Sequence, residues 1–281
     1  HRWLEESMSF LTRSNRLRYD GKSYAVIDTT AETISDGWQR WDQQKQLWLQ
    51  EPALKAQLVL VEATMRALPG ILTGKTPPTD IMFPESSMAL VEDIYRNNPI
   101  TDYFNESLAD ILIAHIQERI GNDAAVRIRI LEIGAGVGSA SVAVFQKLAP
   151  YHKHIEQYCY TDISKASLTH AEKEYGKKNP FLTCKIFDVA KPIAGQSIDE
   201  GGYDIVIAAN VLHATKNIRR TLRNAKAALQ NNGLIFLNEI SDNSLFLHLT
   251  FGLLKGWWLY EDERLLVPGC PDQAAEKWRV A

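Results

Sequence analysis

Residues 128–138 read Ile128-Arg129-Ile130-Leu131-Glu132-Ile133-Gly134-Ala135-Gly136-Val137-Gly138, an apolar run that ends in glycine at every second position. The run predicts a strand over 128–133, and the helical pattern from about Ser139 to Leu148 makes the unit strand, turn, helix. Further apolar runs at Tyr158 to Ile163, Leu182 to Phe187, Tyr203 to Ala209 and Leu234 to Leu237 read as strands. Helical segments such as Lys165 to Tyr175 and Asn217 to Leu229 separate them, and a helix at 104–120 precedes the set. Strands joined by crossover helices pair in parallel, because parallel neighbours cannot be linked by a tight turn. Residues 96–281 are therefore read as a doubly wound, mainly parallel α/β sheet with an insertion at about 241–275.

The front of the chain follows another rule. Trp38, Trp41 and Trp48, then Leu54, Leu58, Val61, Met65 and Leu68, recur at helical spacing, with Pro52 near the start of the second run and Pro69-Gly70 after it. A two-helix hairpin is expected, its tryptophans serving as internal packing. Pro77, Pro78 and Pro84 with Gly74 place a loop or boundary over 73–87, so residues 1–95 form an N-terminal helical subdomain. Since ligands of such sheets lie at the carboxyl edge, this subdomain is expected to act as a lid there.

Composition narrows the function classes. With 281 residues, 45% hydrophobic and 23% charged, the chain is an ordinary folded protein. Lys plus Arg number 31 against 34 Asp plus Glu, so no basic excess is available for nucleic acid. Cys159, Cys184 and Cys270 share no CxxC or Cys/His spacing, which argues for a reducing, cytoplasmic compartment and against a disulfide framework or a metal site. The longest apolar stretch, Leu245 to Trp258, carries His248 and Lys255 and is too short to span a bilayer, so no membrane role is expected. The chain opens at His1 without a signal-peptide pattern and stops at Ala281 within an expected helix, Pro271 to Ala281, as though cut from a longer polypeptide.

The strand ends carry the candidate site. Gly134, Gly136 and Gly138 let the backbone approach a ligand with no Cβ in the way. The dinucleotide fingerprint is GxGxxG, and here the third glycine comes one residue early. Glu132, two residues before the first glycine, favours a cationic ligand over a pyrophosphate. Asp162, at the end of the second strand, can accept both hydroxyls of a ribose, Asp188 can receive an adenine amino group, and Asn210 closes the fourth strand. His213 follows Asn210, and Glu239 ends the fifth strand; neighbouring strands lie about 4.8 Å apart, so the two share one pocket. An imidazole beside a carboxylate is a base with an orienting group. Tyr103 and Phe104, opening a helix, are placed on the cofactor or acceptor pocket, and Trp257 with Trp258 in a lid over the acceptor.

This constellation resembles the class I S-adenosylmethionine-dependent methyltransferases, whose Rossmann-like fold the sheet would share. The segments "VEDIYRNNPITDYFNE" (91–106), "LEIGAGVG" (131–138), "YTDIS" (160–164), "YDIVIAANVLHATKNIRRTLRN" (203–224) and "GLLKGWWLYEDERLLVPGCP" (252–271) are similar to the C-methyltransferase domains of modular polyketide synthases. The likeness covers roughly residues 90–275. It implies S-adenosylmethionine as cofactor and His213 and Glu239 as the catalytic pair. It implies as substrate a β-ketoacyl thioester on the phosphopantetheine of an acyl carrier protein, with neighbouring synthase domains as partners. Domains of that family continue into a closing β-hairpin, so the sheet here would lack its last two strands. The competing readings are an O-methyltransferase acting on a polyketide hydroxyl or a small molecule, and a non-catalytic domain that retains the fold. The intact glycine turn, with Asp162, Asp188, His213 and Glu239 all present, argues against decay.

Overall fold

The structure is a computed structural model and describes residues 2–27, 33–87, 90–91, 94, 98–262 and 266–279. The chain divides into two compact units. One holds His1–Ile94 with Asn243–Trp258 and Val267–Pro271; the other holds Tyr95–Asp242 with Leu259–Leu266 and Asp272–Ala281. The boundary expected at 95/96 falls on residues outside the described set. Among the described residues no helix is long and apolar enough to cross a membrane.

The first unit opens with α1 (Arg2–Arg13) and a small antiparallel pair, β1 (Leu17–Tyr19) and β2 (Tyr24–Val26). The expected hairpin follows as α2 (Ile34–Trp48) and α3 (Pro52–Leu72). Thr33 and Asp36 form a capping box that starts α2, and Pro52 sits at the first position of α3, where its missing N–H costs nothing. No residue of α2 is fully buried: Trp38 and Trp41 are half-buried and Trp48 is exposed, so the packing expected of its tryptophans is with one another at the rim of the unit and not in a closed core. Trp38, Trp41 and Trp48 instead meet edge to face along the helix, and the Arg66 guanidinium lies 4.0 Å over the Trp38 ring. Within the loop expected over 73–87, Pro78 starts a short helix, α4 (Pro78–Met82).

The second unit carries the sheet. Its first helix, α5 (Pro99–Asn122), starts five residues before the expected 104, because the Asn98 side chain accepts from the amides of Ile100 and Thr101, and Pro99 has its φ already set for a helix. Then come β3 (Ile128–Ile133), α6 (Ser139–Leu148), β4 (Ile155–Asp162), α7 (Lys165–Tyr175), β5 (Leu182–Ile186), β6 (Tyr203–Ala209), α8 (Ile218–Ala227) and β7 (Leu229–Asn238). The order across the sheet is β5-β4-β3-β6-β7, every pairing parallel. β7 begins five residues before the expected 234, since Gln230, Asn231 and Asn232 are exposed there and carry no apolar signal.

Alternation sorts the strand residues onto two covered faces. Ile128 and Ile130 pack with Leu108, Leu112 and Ile116 of α5 and Val144 of α6, while Leu131 and Ile133 pack with Val206, Ala208 and Ile218. Strand order reverses about β3, which puts the crevice of a doubly wound sheet at its carboxyl end.

The residues after the sheet depart from expectation. The reading gave 241–275 to the core domain; Asn243–Trp258 and Val267–Pro271 cluster with the helical front instead. There α9 (Leu245–Leu249) brings His248 under Trp3, rings 5.2 Å apart and nearly parallel, and the Trp3 indole donates to the His248 carbonyl. The expected helix over Pro271 to Ala281 is absent from the described residues 271–279 save a single turn at Lys277–Arg279, because Asp272 and Gln273 are drawn wholly into the interior, a tertiary demand that outweighs local propensity.

At the amino end of the sheet, the buried Asp204 accepts from the Arg119 guanidinium and the Arg129 amide, both at 2.9 Å, and from the Gln230 side chain. Asp204→Ala strands these donors, and urea denaturation should show a loss of roughly 1–3 kcal/mol. A loss under about 0.5 kcal/mol, the range of ordinary surface changes, would show that the network does not hold this end together.

Candidate functional site

At the carboxyl end of β3 the chain turns through Gly134, Gly136 and Gly138, with φ of +60°, +60° and +84°. The three glycines serve different ends. A Cβ on Gly134 would collide with Val211 Cγ2, and one on Gly138 would sit 2.6 Å from the Tyr175 hydroxyl. A Cβ on Gly136 would meet nothing nearer than the Gly134 carbonyl at 4.0 Å. The outer glycines are thus demanded by packing, while the middle one opens onto free space that a ligand can take.

Asp162 holds this turn. Its Oδ2 accepts from the Gly136 amide at 2.9 Å and its Oδ1 from the Ser164 amide at 2.7 Å, and the residue is only 8% exposed. Each oxygen keeps a second lone pair, so the carboxylate can still accept from hydroxyls. The Tyr160 hydroxyl adds a bond to the Gly136 carbonyl.

Glu132 departs from its expected place facing a ligand. Strand alternation turns it to the face covered by α5, α6 and α7, where it is 1% exposed and its Oε2 accepts from the Ser141 and Tyr158 hydroxyls at 2.6 and 2.7 Å. Burial pushes its carboxyl above the usual range, against the pull of those two bonds. It secures β3 to the first turn of α6.

Asp188 shapes the loop after β5: it accepts from the Ala190 amide, pairs with Lys191, and its own amide donates to the Gln196 side chain. Asn210 ends β6 in the left-handed region at φ +52°, a conformation asparagine tolerates, and donates to the Asn238 carbonyl at 2.7 Å. Tyr103 and Phe104 stand 67% and 52% exposed on α5, touching each other edge to face. A residue missed in the sequence is their neighbour Asn105. It is buried, donates to Ser139 Oγ and accepts from the Asn238 side chain, joining α5, the start of α6 and the end of β7. The available signal was an asparagine inside a helix, where its propensity is poor.

His213 and Glu239 come together as the strand order requires. His213 lies on a single turn, Leu212–Ala214, after β6, and its Nδ1 is 2.6 Å from Glu239 Oε2. Glu239 Oε1 accepts from the amides of Val211 and Leu212 at 3.1 and 2.8 Å, so the carboxylate fixes both the turn and the ring on it. Asp272 Oδ1 lies 4.0 Å from the same Nδ1. Burial pulls the imidazole pKa down, but the bond to Glu239 and the charges of Glu239 and Asp272 together prevail and hold it above the ordinary value of about 6.5. Among the described residues no group of His, Cys, Asp and Glu could hold a metal ion.

A family model described as "Methyltransferase domain" matches residues 131–235, the span from the end of β3 through the glycine turn into β7. The chain is 55% identical over 280 residues to polyketide synthase PksM of Bacillus subtilis, covering 100% of this chain and 6% of that protein. A crystal structure of the DszA carbon methyltransferase superposes with a TM-score of 0.88 at 32% identity, covering 99% of this chain and 70% of that one. The trans-methyltransferase CalH, solved as a complex with SAH, gives 0.68 at 26% identity over 87% of this chain and 65% of that one. The chain belongs to the carbon methyltransferase family of polyketide synthases, enzymes that depend on S-adenosylmethionine.

The two kinds of glycine can be told apart by stability. Gly136→Ala should cost only the left-handed strain of about 1–2 kcal/mol. Gly134→Ala should cost a further 1–3 kcal/mol or so for the clash with Val211. Equal losses in chemical denaturation would contradict the separate roles.

Proposed function

We propose that this domain methylates the α-carbon of a β-ketoacyl thioester carried on the phosphopantetheine of an acyl carrier protein, with His213 as the base and Glu239 as its orienting partner. The observation that carries the reading is the 2.6 Å contact of His213 Nδ1 with a carboxylate that two backbone amides hold in place. Nδ1 is thereby committed, and Nε2 is the nitrogen left for the acceptor. A carbon acid between two carbonyls must lose a proton before it can act as a nucleophile. Nε2 takes that proton as the C–H bond breaks, the electron pair passes to the enolate, and Glu239 stabilises the imidazolium that forms.

We assign cofactor binding to the Gly134–Gly138 turn and Asp162. The space in front of Gly136 and the unused lone pairs of Asp162 support that assignment. When bound, S-adenosylmethionine supplies an electrophilic methyl on its sulfonium sulfur. The family membership and the carbon methyltransferase named among the solved structures favour carbon over oxygen as acceptor. One relative, polyketide synthase PksM, is a protein of which this chain spans 6%, which supports neighbouring synthase domains and a carrier protein as partners. Three free cysteines, two of them buried, support a reducing, cytoplasmic setting.

The test is incubation with S-adenosylmethionine and a β-ketoacyl carrier protein, followed by mass spectrometry and location of the new methyl group. His213→Ala should lose about 10²- to 10⁴-fold in rate while calorimetry shows unchanged cofactor affinity. Gly136→Val should lose cofactor binding. Near-normal turnover by His213→Ala would eliminate the base, and a methyl found on a hydroxyl would select O-methylation.

The pH profile follows from the sign of the shift. A base must be neutral to act, and a raised pKa keeps His213 protonated to higher pH, so kcat/KM should fall on the acid side with a midpoint above about 6.5. Glu239→Gln should slow transfer and move that midpoint down.

A further inference from the structure

Asp272 belongs to no strand, helix or turn of the sheet; it lies in the irregular stretch that replaces the helix expected from Pro271 onward, and it is wholly buried. An ionised carboxylate is costly to take out of water unless neighbouring groups compensate it, and His213 is one such neighbour. Asp272 Oδ1 is 4.0 Å from His213 Nδ1, while Glu239 Oε2 is 2.6 Å from the same nitrogen. Four ångströms is too long for a hydrogen bond yet well inside the range over which buried charges act on each other. Two carboxylates from separate segments, the end of β7 and the stretch after Pro271, therefore bear on one edge of the imidazole.

We propose that Asp272 is a positioning residue for the base, its buried charge keeping the ring turned onto Glu239 and stabilising the imidazolium that forms when the α-proton is taken. This rests on the reading of His213 as that base. Among the described residues, Glu239 from the end of β7 and Asp272 from the last segment are the charged groups that act on the ring. The two carboxylates have different tasks. Glu239 makes the directional bond and fixes the 211–213 turn, whereas Asp272 makes no bond to the ring and acts through its charge. The proton balance of the reaction is unchanged: the α-proton goes to Nε2, and Asp272 neither takes nor gives one.

The test is Asp272→Asn, which keeps shape and removes charge. The acid midpoint of kcat/KM, and the imidazole titration of His213 followed by NMR, should both move down by about one pH unit. The rate above that midpoint should fall several-fold, with KM for the carrier-bound substrate unchanged. A merely structural Asp272 would lower the melting temperature and leave the midpoint where it was, and that result overturns the proposal. Should the variant not fold, the Asp272 carboxyl carbon of the unaltered chain must show a chemical-shift step at the pH where His213 titrates; its absence overturns the proposal equally. Failure of the base reading is separable, because it appears as near-normal turnover by His213→Ala, whatever the Asp272 measurements give.

Discussion

The missing Cβ of Gly134 is the constraint on which the site depends. Val211 Cγ2 occupies the place a side chain would need, so the turn after β6 can press against the turn after β3. The same Val211 donates its amide to Glu239, and Glu239 holds His213. One absent methyl group thus sets the spacing between the glycine turn and the segment that carries His213. The strand order makes the contact available: β3 and β6 are parallel neighbours, with Ile133 opposite Ala208, so their carboxyl ends leave the sheet side by side.

Around this contact, buried polar side chains do what apolar packing could not. Apolar contacts are non-directional, whereas hydrogen bonds fix orientation, and strand ends, helix starts and turns must here be held in register to within a bond length. Glu132 ties β3 to α6 and to Tyr158, and Asn105 ties α5 to Ser139 and Asn238. Asp162 clamps the glycine turn through its amide. These residues are buried because the network satisfies them, and each would be costly to leave unpaired.

The two ends of the sheet divide the labour. Asp204 closes the amino end through its ion pair with Arg119 and the Arg129 backbone amide, and the carboxyl end keeps the open glycine and the His213–Glu239 pair. β6, from Tyr203 to Ala209, separates them by about 20 Å at the usual rise per residue.

The sheet, the glycine turn and the pairing of His213 with Glu239 are legible in the sequence alone. Strands buried on both faces must be apolar throughout, their ends must converge on one edge, and the residues at those ends are read by counting along the chain. The sequence also placed Asp162, whose position at a strand end follows from the same count. It did not show that Glu132 is held in the core by Ser141 and Tyr158, nor that the tryptophans of α2 pack on one another while none is fully buried. That 243–258 joins the helical unit, and that Asp272, 33 positions beyond Glu239, comes within 4.0 Å of the same imidazole, is visible in the folded chain and in no local pattern. The reason is physical. A strand or a turn is specified by neighbours in sequence, whereas burial of a polar group depends on partners that the fold brings from far along the chain.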